Sequence, residues 1–154
     1  MKVIGVGNPD RGDDGAGWEV VARIGPGTAA ERSTGDPALL IEQWRDCDDV
    51  VLVDATSCER APGTVTVVDL LEQRLPVGAV NSSHGLGPVE AVELGRALEV
   101  LPDRLTFVGI EGSCWTHGAA LSDPVERAVE RVLAILAEWA AERPETTTRA
   151  GTVG

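Results

Sequence analysis

Short apolar, β-favouring runs take turns along this chain with stretches of helical period, and the switches mark its elements. Residues 2–7 are apolar and β-favouring and run into the turn signal Gly7-Asn8-Pro9, which predicts an opening strand. After Asp13 and Asp14, the residues Trp18, Val21, Ala22 and Ile24 fall on one face of a predicted helix that Pro26-Gly27 closes. Residues 28–33 alternate poorly and read as a weak second strand. Asp36-Pro37 opens the next helix, with Asp36 as its cap and Leu39, Leu40, Gln43 and Trp44 at helical spacing. The run Val50-Val51-Leu52-Val53 has the continuous apolar character of a parallel strand covered on both faces, and it ends at Asp54.

A loop over 58–63, closed by Pro62-Gly63, precedes a β-branched stretch at 64–68 that reads as another strand. Residues 76–86 are rich in Pro, Gly, Asn and Ser and form a predicted loop carrying His84. A helix is expected over 88–101 with Val89, Val92 and Ala97 inward, then a last strand over 105–110. Ser122-Asp123-Pro124 opens a long amphipathic helix to about residue 142, bearing Val125, Val129, Val132, Leu133, Leu136 and Trp139. Residues 144–154 are polar and aperiodic, and are expected to be a disordered tail. Strands alternating with helices predict an α/β fold: a three-layer sandwich in which a mainly parallel sheet carries helices on both faces. No internal repeat and no linker divides residues 1–143, so one domain is expected.

Composition narrows the function. The net charge of -12 repels phosphate backbones, which argues against nucleic-acid binding. No basic amphipathic stretch suits a membrane surface, and the apolar runs are too short to span a bilayer. The start of the chain reads as a buried strand rather than a signal peptide, so a cytoplasmic protein is expected. The three cysteines, Cys47, Cys58 and Cys114, are scattered and suggest neither a disulfide framework nor a CxxC zinc site.

In open α/β sheets, ligand-binding groups gather at the carboxyl ends of strands. Asp14 follows the first strand, Asp54 terminates a central one, and His84 lies in a loop entering a helix. Two carboxylates and an imidazole make a mixed oxygen and nitrogen donor set suited to a divalent transition ion, with positions left for water or substrate. Plainer roles compete on local grounds: Asp13 or Asp14 as helix caps, Asp54 bonding its own loop, and His84 as a partly exposed loop residue. His117 is a further possible ligand without spacing to recommend it, and adjacent Asp13 and Asp14 are poorly placed to act as one acid/base pair. The Gly5-Val6-Gly7 stretch has Asp10 where a dinucleotide fingerprint needs its third glycine, and Lys2, the only lysine, is not in a P-loop. A phospho-receiver domain would cluster acids similarly but needs a lysine near the last strand, and residues 105–113 contain none. Cys58 with His84 as nucleophile and base has no third partner.

Taken in order, GVGNPDRGDDGAG at 5–17, VLVDAT at 51–56, PGTV at 62–65, NSSHGLG at 81–87 and LTFVGIEG at 105–112 resemble the endopeptidases that mature nickel-iron hydrogenases. The likeness extends from residue 2 to about residue 140, and the first motif is its most specific part. It implies a twisted sheet of about five strands sandwiched by helices, and it implicates Asp14, Asp54 and His84 as metal-binding and catalytic residues. Members of that family remove a C-terminal peptide from the hydrogenase large-subunit precursor after nickel insertion. The implied partner is therefore that precursor, and the implied metal is nickel supplied by it. A nickel-binding chaperone without peptidase activity would use the same ligands. One departure stands out: where many members carry an aspartate, paired glycines and a threonine near the second helix, this chain has Ser33-Thr34-Gly35-Asp36-Pro37.

Overall fold

The computed structural model describes residues 1–75 and 87–143. His84, its loop and the polar tail therefore lie outside the described residues. Five strands, β1 (Lys2–Val6), β2 (Ala29–Ser33), β3 (Asp49–Thr56), β4 (Val65–Asp69) and β5 (Arg104–Glu111), form one sheet in the order β2-β1-β3-β5-β4. All neighbours are parallel except β4, which pairs antiparallel with β5 at the edge. Four helices cover the sheet: α1 (Ala16–Arg23), α2 (Pro37–Trp44), α3 (Pro88–Ala97) and α4 (Asp123–Glu142). The expected three-layer sandwich is present.

All eight residues of β3 are buried, which is why its apolar run does not alternate with polar residues. Its side chains still alternate in direction. Val51 and Val53 join the layer of α1 and α4, where Val20, Val129, Val132 and Leu136 pack. Val50 and Leu52 face the α2 and α3 layer, with Leu40, Trp44, Val92 and Phe107. Trp44 is fully buried there and satisfies its indole N–H on the Val100 carbonyl at 3.1 Å. No helix among the described residues is long and apolar enough to cross a membrane.

Several boundaries and faces depart from the sequence reading. Strand β3 continues through Ala55 and Thr56, which pair with Ile110 and Glu111, so Asp54 sits inside the strand rather than at its end. On α1 the inward residues are Ala16, Gly17 and Val20, whereas Ala22 is exposed and Trp18 is half-buried. The glycine explains the shift. A Cβ on Gly17 would overlap the carbonyl oxygens of Val6 and Val53, so α1 rests backbone-to-backbone on β1 and β3. Helix α3 ends at Ala97, which is exposed, and it turns Ala91, Val92 and Gly95 inward. The weak second strand at 28–33 does form, as the parallel edge partner of β1. Sheet pairing there overrides a poor local pattern.

The chain leaves β1 toward β2 on one side and returns to β3 on the other. That reversal makes the carboxyl ends of β1 and β3 the topological switch point, where ligands bind in sheets of this kind.

Candidate functional site

Both carboxylates implicated by the motifs flank this switch point. After β1, Gly7 and Asn8 lead into a tight 3-10 turn over Gly12–Gly15 that holds Asp14. The Asn8 amide donates to the Asp14 carbonyl at 3.1 Å, and the Asp14 amide donates to the Arg11 carbonyl at 3.1 Å, fixing the loop from within. Asp54 enters from β3, and its Oδ1 accepts a hydrogen bond from its neighbour's amide, Ala55, at 2.8 Å. Each aspartate is only 3% exposed.

Both buried carboxylates are perturbed. Burial pushes the Asp54 carboxyl well above its ordinary range, the negative charge of Asp14 pushes it further, and the Ala55 amide only partly opposes them. Burial also raises the Asp14 carboxyl, against the pull of the Arg11 guanidinium and the Asn8 backbone. Arg11 Nη1 stands 4.0 Å from Asp14 Oδ2, an ion-pair distance too long for a hydrogen bond. Its guanidinium lies over Trp115, 5.8 Å from the ring centroid.

Asp13, weighed from sequence as a helix cap beside Asp14, has another task. Neither the 3-10 turn nor α1 has a side-chain cap. The fully buried Asp13 carboxylate instead accepts from the amides of Ser113 and Cys114 at 2.8 and 2.9 Å and from the Ser122 amide and hydroxyl at 2.7 and 2.8 Å. Its own amide donates to the Cys114 carbonyl at 2.8 Å. Asp13 thus staples the segment between β5 and α4 onto the Asp14 turn. Gly12 completes the joint: its φ of 54° and the Cys114 carbonyl behind it leave no place for a side chain.

Glu111, read from sequence only as the end of a generic strand motif, is also a builder of the site. It is 3% exposed, and its carboxylate accepts from Thr56 Oγ1 at 2.6 Å and from the amides of Cys58 and Arg60 at 2.7 and 3.3 Å. These bonds hold the chain leaving β3 against the end of β5, two residues beyond Asp54. The acidic β5 terminus also stands where a receiver domain would place its lysine. A buried acid amid small polar residues at a strand end was the only available signal.

The other candidates separate. His117 is exposed on the turn where the Gly118 amide donates to the Asp10 carbonyl at 2.7 Å, and it joins no metal-binding cluster among the described residues. Asp13 and Asp14 direct their carboxylates to different partners, so they form no acid/base pair. Partial burial and the Glu111 carboxylate push the Cys58 thiol up, away from the thiolate a nucleophile requires. The structure brings Asp14 and Asp54 together, while His84 lies outside the described residues. The carboxylate pair fits a divalent cation chemically, because an ion between two desolvated anions would relieve both their repulsion and their burial cost. At the departure before α2, the Ser33 hydroxyl accepts from the Gly35 amide at 3.3 Å, so a serine performs the local turn.

The family model for HycI, hydrogenase maturation protease, matches residues 33–139. That range includes Asp54 and begins after Asp14. Among solved structures, the fold is similar to the [NiFe] hydrogenase maturation protease HybD from Thermococcus kodakarensis, at 23% identity and TM-score 0.74, covering 90% of this chain and 97% of that one. It is also similar to the hydrogenase maturating endopeptidase HybD from E. coli, at 23% identity and TM-score 0.73, with 96% of each chain covered. An endopeptidase from Escherichia coli known from a solution structure gives TM-score 0.75 at 22% identity, over 99% of this chain and all of that one, 100%. Comparison with curated protein sequences finds no match.

Proposed function

Because this chain belongs to the hydrogenase maturation protease family, we propose that it removes the C-terminal extension of a nickel-loaded hydrogenase large-subunit precursor and recognises that nickel through Asp14, Asp54 and His84. The observation that carries the reading is the buried pair itself. Burial raises the proton affinity of two carboxylates delivered by different strands to the β1/β3 switch point, the charge of Asp14 raises that of Asp54 further, and among the described residues neither is taken up by a structural hydrogen-bond network as Asp13 and Glu111 are. Such an arrangement costs stability, and a cation brought by the substrate would offset that cost.

In this reading the precursor's nickel is part of the substrate. Asp14 and Asp54 offer it oxygen donors and His84 an imidazole, which places the adjoining peptide bond beside the switch point. Nickel bound there would supply Lewis-acid polarisation. The protein's own carboxylates, raised toward neutrality by burial, can hold a water and accept its proton as it attacks the peptide carbonyl. The proton then passes to the departing amine. Asp13 and Glu111 act at a distance, by keeping the Asp14 turn and the end of β3 in place. We place the reaction in the cytoplasm, with the precursor as the macromolecular partner.

The test is incubation with the cognate nickel-loaded large subunit, followed by mass measurement of its C-terminus. A mass loss equal to the extension, absent with Asp54→Asn, is expected. A precursor that stays intact while binding the protein would favour a nickel-binding chaperone.

A further inference from the structure

We propose that Arg11 is a charge gate on this site: its fixed guanidinium disfavours free divalent cations while admitting nickel already neutralised by ligands of the precursor. The proposal rests on the functional reading above and names the residue that makes recognition selective.

Arg11 is placed unlike an ordinary salt-bridge partner. Its Nη1 is buried and has no hydrogen-bond partner among the described residues, although Asp14 Oδ2 is 4.0 Å away. A buried N–H left unpaired is costly, and native proteins keep such groups where they serve a purpose. The guanidinium faces the carboxylate without closing on it, so the Asp14 oxygens remain available as donors. Its position is fixed from the other side. Trp115 lies under the guanidinium at 5.8 Å, and the Trp115 segment is tied to the Asp14 turn through Asp13 bonds to Ser113 and Cys114. Arginine cannot shed its charge by deprotonation.

The consequence follows from charge. Asp14 and Asp54 when ionised present two negative charges, a strong attraction for any dication. Arg11 cancels about half of it, since one guanidinium stands against two carboxylates. The repulsion it adds is proportional to the charge of what arrives. A free aqueous dication meets that repulsion in full. Nickel held by anionic soft ligands of the precursor carries little net charge and is hardly affected. The gate therefore keeps the site free of adventitious metal and leaves it responsive to metal presented by substrate. A purely structural Arg11, one that only sustains Asp14 as an anion or packs on Trp115, predicts the opposite sign: its loss would weaken cation binding.

The experiment is calorimetric titration of the purified full chain with Ni2+ alone. Arg11→Met keeps the side chain's length and its contact with Trp115, and Arg11→Gln serves as a second neutral variant should the first fold poorly. Both are expected to bind Ni2+ about 10- to 30-fold more tightly than wild type, from a unit charge acting on a dication a few ångströms away at water-like screening. Arg11→Lys should stay near wild type. The gain should vanish in Arg11→Met combined with Asp54→Asn. Unchanged or weaker Ni2+ binding by the neutral variants would overturn the proposal, as would a gain that survives Asp54→Asn. In a second arm, free Ni2+ should inhibit cleavage of loaded precursor by Arg11→Met at correspondingly lower concentration. A wild-type protein that never cleaves loaded precursor, with the calorimetric pattern intact, would sink the protease reading and leave the cation gate standing.

Discussion

Replacing Asp54 by asparagine removes one of the two carboxylates buried at the β1/β3 switch point while preserving the side chain's shape. The asparagine Oδ1 can still accept from the Ala55 amide, the hydrogen bond seen at 2.8 Å in the wild type. What disappears is the desolvated charge and its repulsion by Asp14, the two causes that push the Asp54 carboxyl upward. A carboxyl raised by folding favours the native state most when it is protonated. Its contribution is fully present below the unfolded value of about 4 and is lost as pH rises through the higher folded value. Asp54→Asn should therefore stabilise the metal-free protein at neutral pH, by about 1 kcal/mol on the scale of known site-relieving substitutions. In a domain of this size that is a rise in Tm of roughly 2–4 °C. The same variant should lose processing of loaded precursor, because stability is gained by removing the functional charge. Thermal unfolding followed by circular dichroism near neutrality and again near pH 4 supplies the check. The gap between variant and wild type should narrow at the acid end, where both side chains are neutral. A fall in Tm at neutral pH would refute the reasoning and make Asp54 a structural acid like Asp13.

Asp13→Ala leaves the Ser113, Cys114 and Ser122 amides without their acceptor and should cost about 3 kcal/mol, read as a Tm loss of roughly 6–12 °C; an unchanged Tm would show that the staple is dispensable. Gly17→Ala places a methyl against the carbonyl oxygens of Val6 and Val53 and should destabilise by about 2 kcal/mol or more, because backbone must move; a denaturant midpoint equal to wild type would contradict the close packing of α1. His84→Ala is expected to abolish processing at a stability cost of within about 1 kcal/mol, and undiminished cleavage by the folded variant would remove His84 from the site.

The sheet was legible because buried parallel strands announce themselves as continuous apolar runs, and Val50-Val51-Leu52-Val53 is such a run. The places of Asp14 and Asp54 near the carboxyl ends of β1 and β3 were legible because each follows or closes an apolar run. The faces of α1 were not, because its inward surface is set by Gly17, and a residue valued for lacking a side chain leaves no mark in an apolar pattern. Asp13 and Glu111 escaped for a different reason. Their partners lie 100 and 109 residues away for Asp13, at Ser113 and Ser122, and 55 for Glu111, at Thr56, separations over which local spacing carries no signal. The end of β3 extended past Asp54 because pairing with β5 continues through Thr56 regardless of side-chain polarity.

The central claim is that Asp14 and Asp54, with His84, read nickel presented by the substrate. Its most direct test is a cleavage time course using metal-analysed enzyme and matched nickel-loaded and nickel-free precursors, with the C-terminus of each product weighed. Wild type should cleave loaded precursor and leave the empty one intact, and Asp14→Asn should lose both rate and discrimination. Equal cleavage of the two precursors by wild type would contradict that claim.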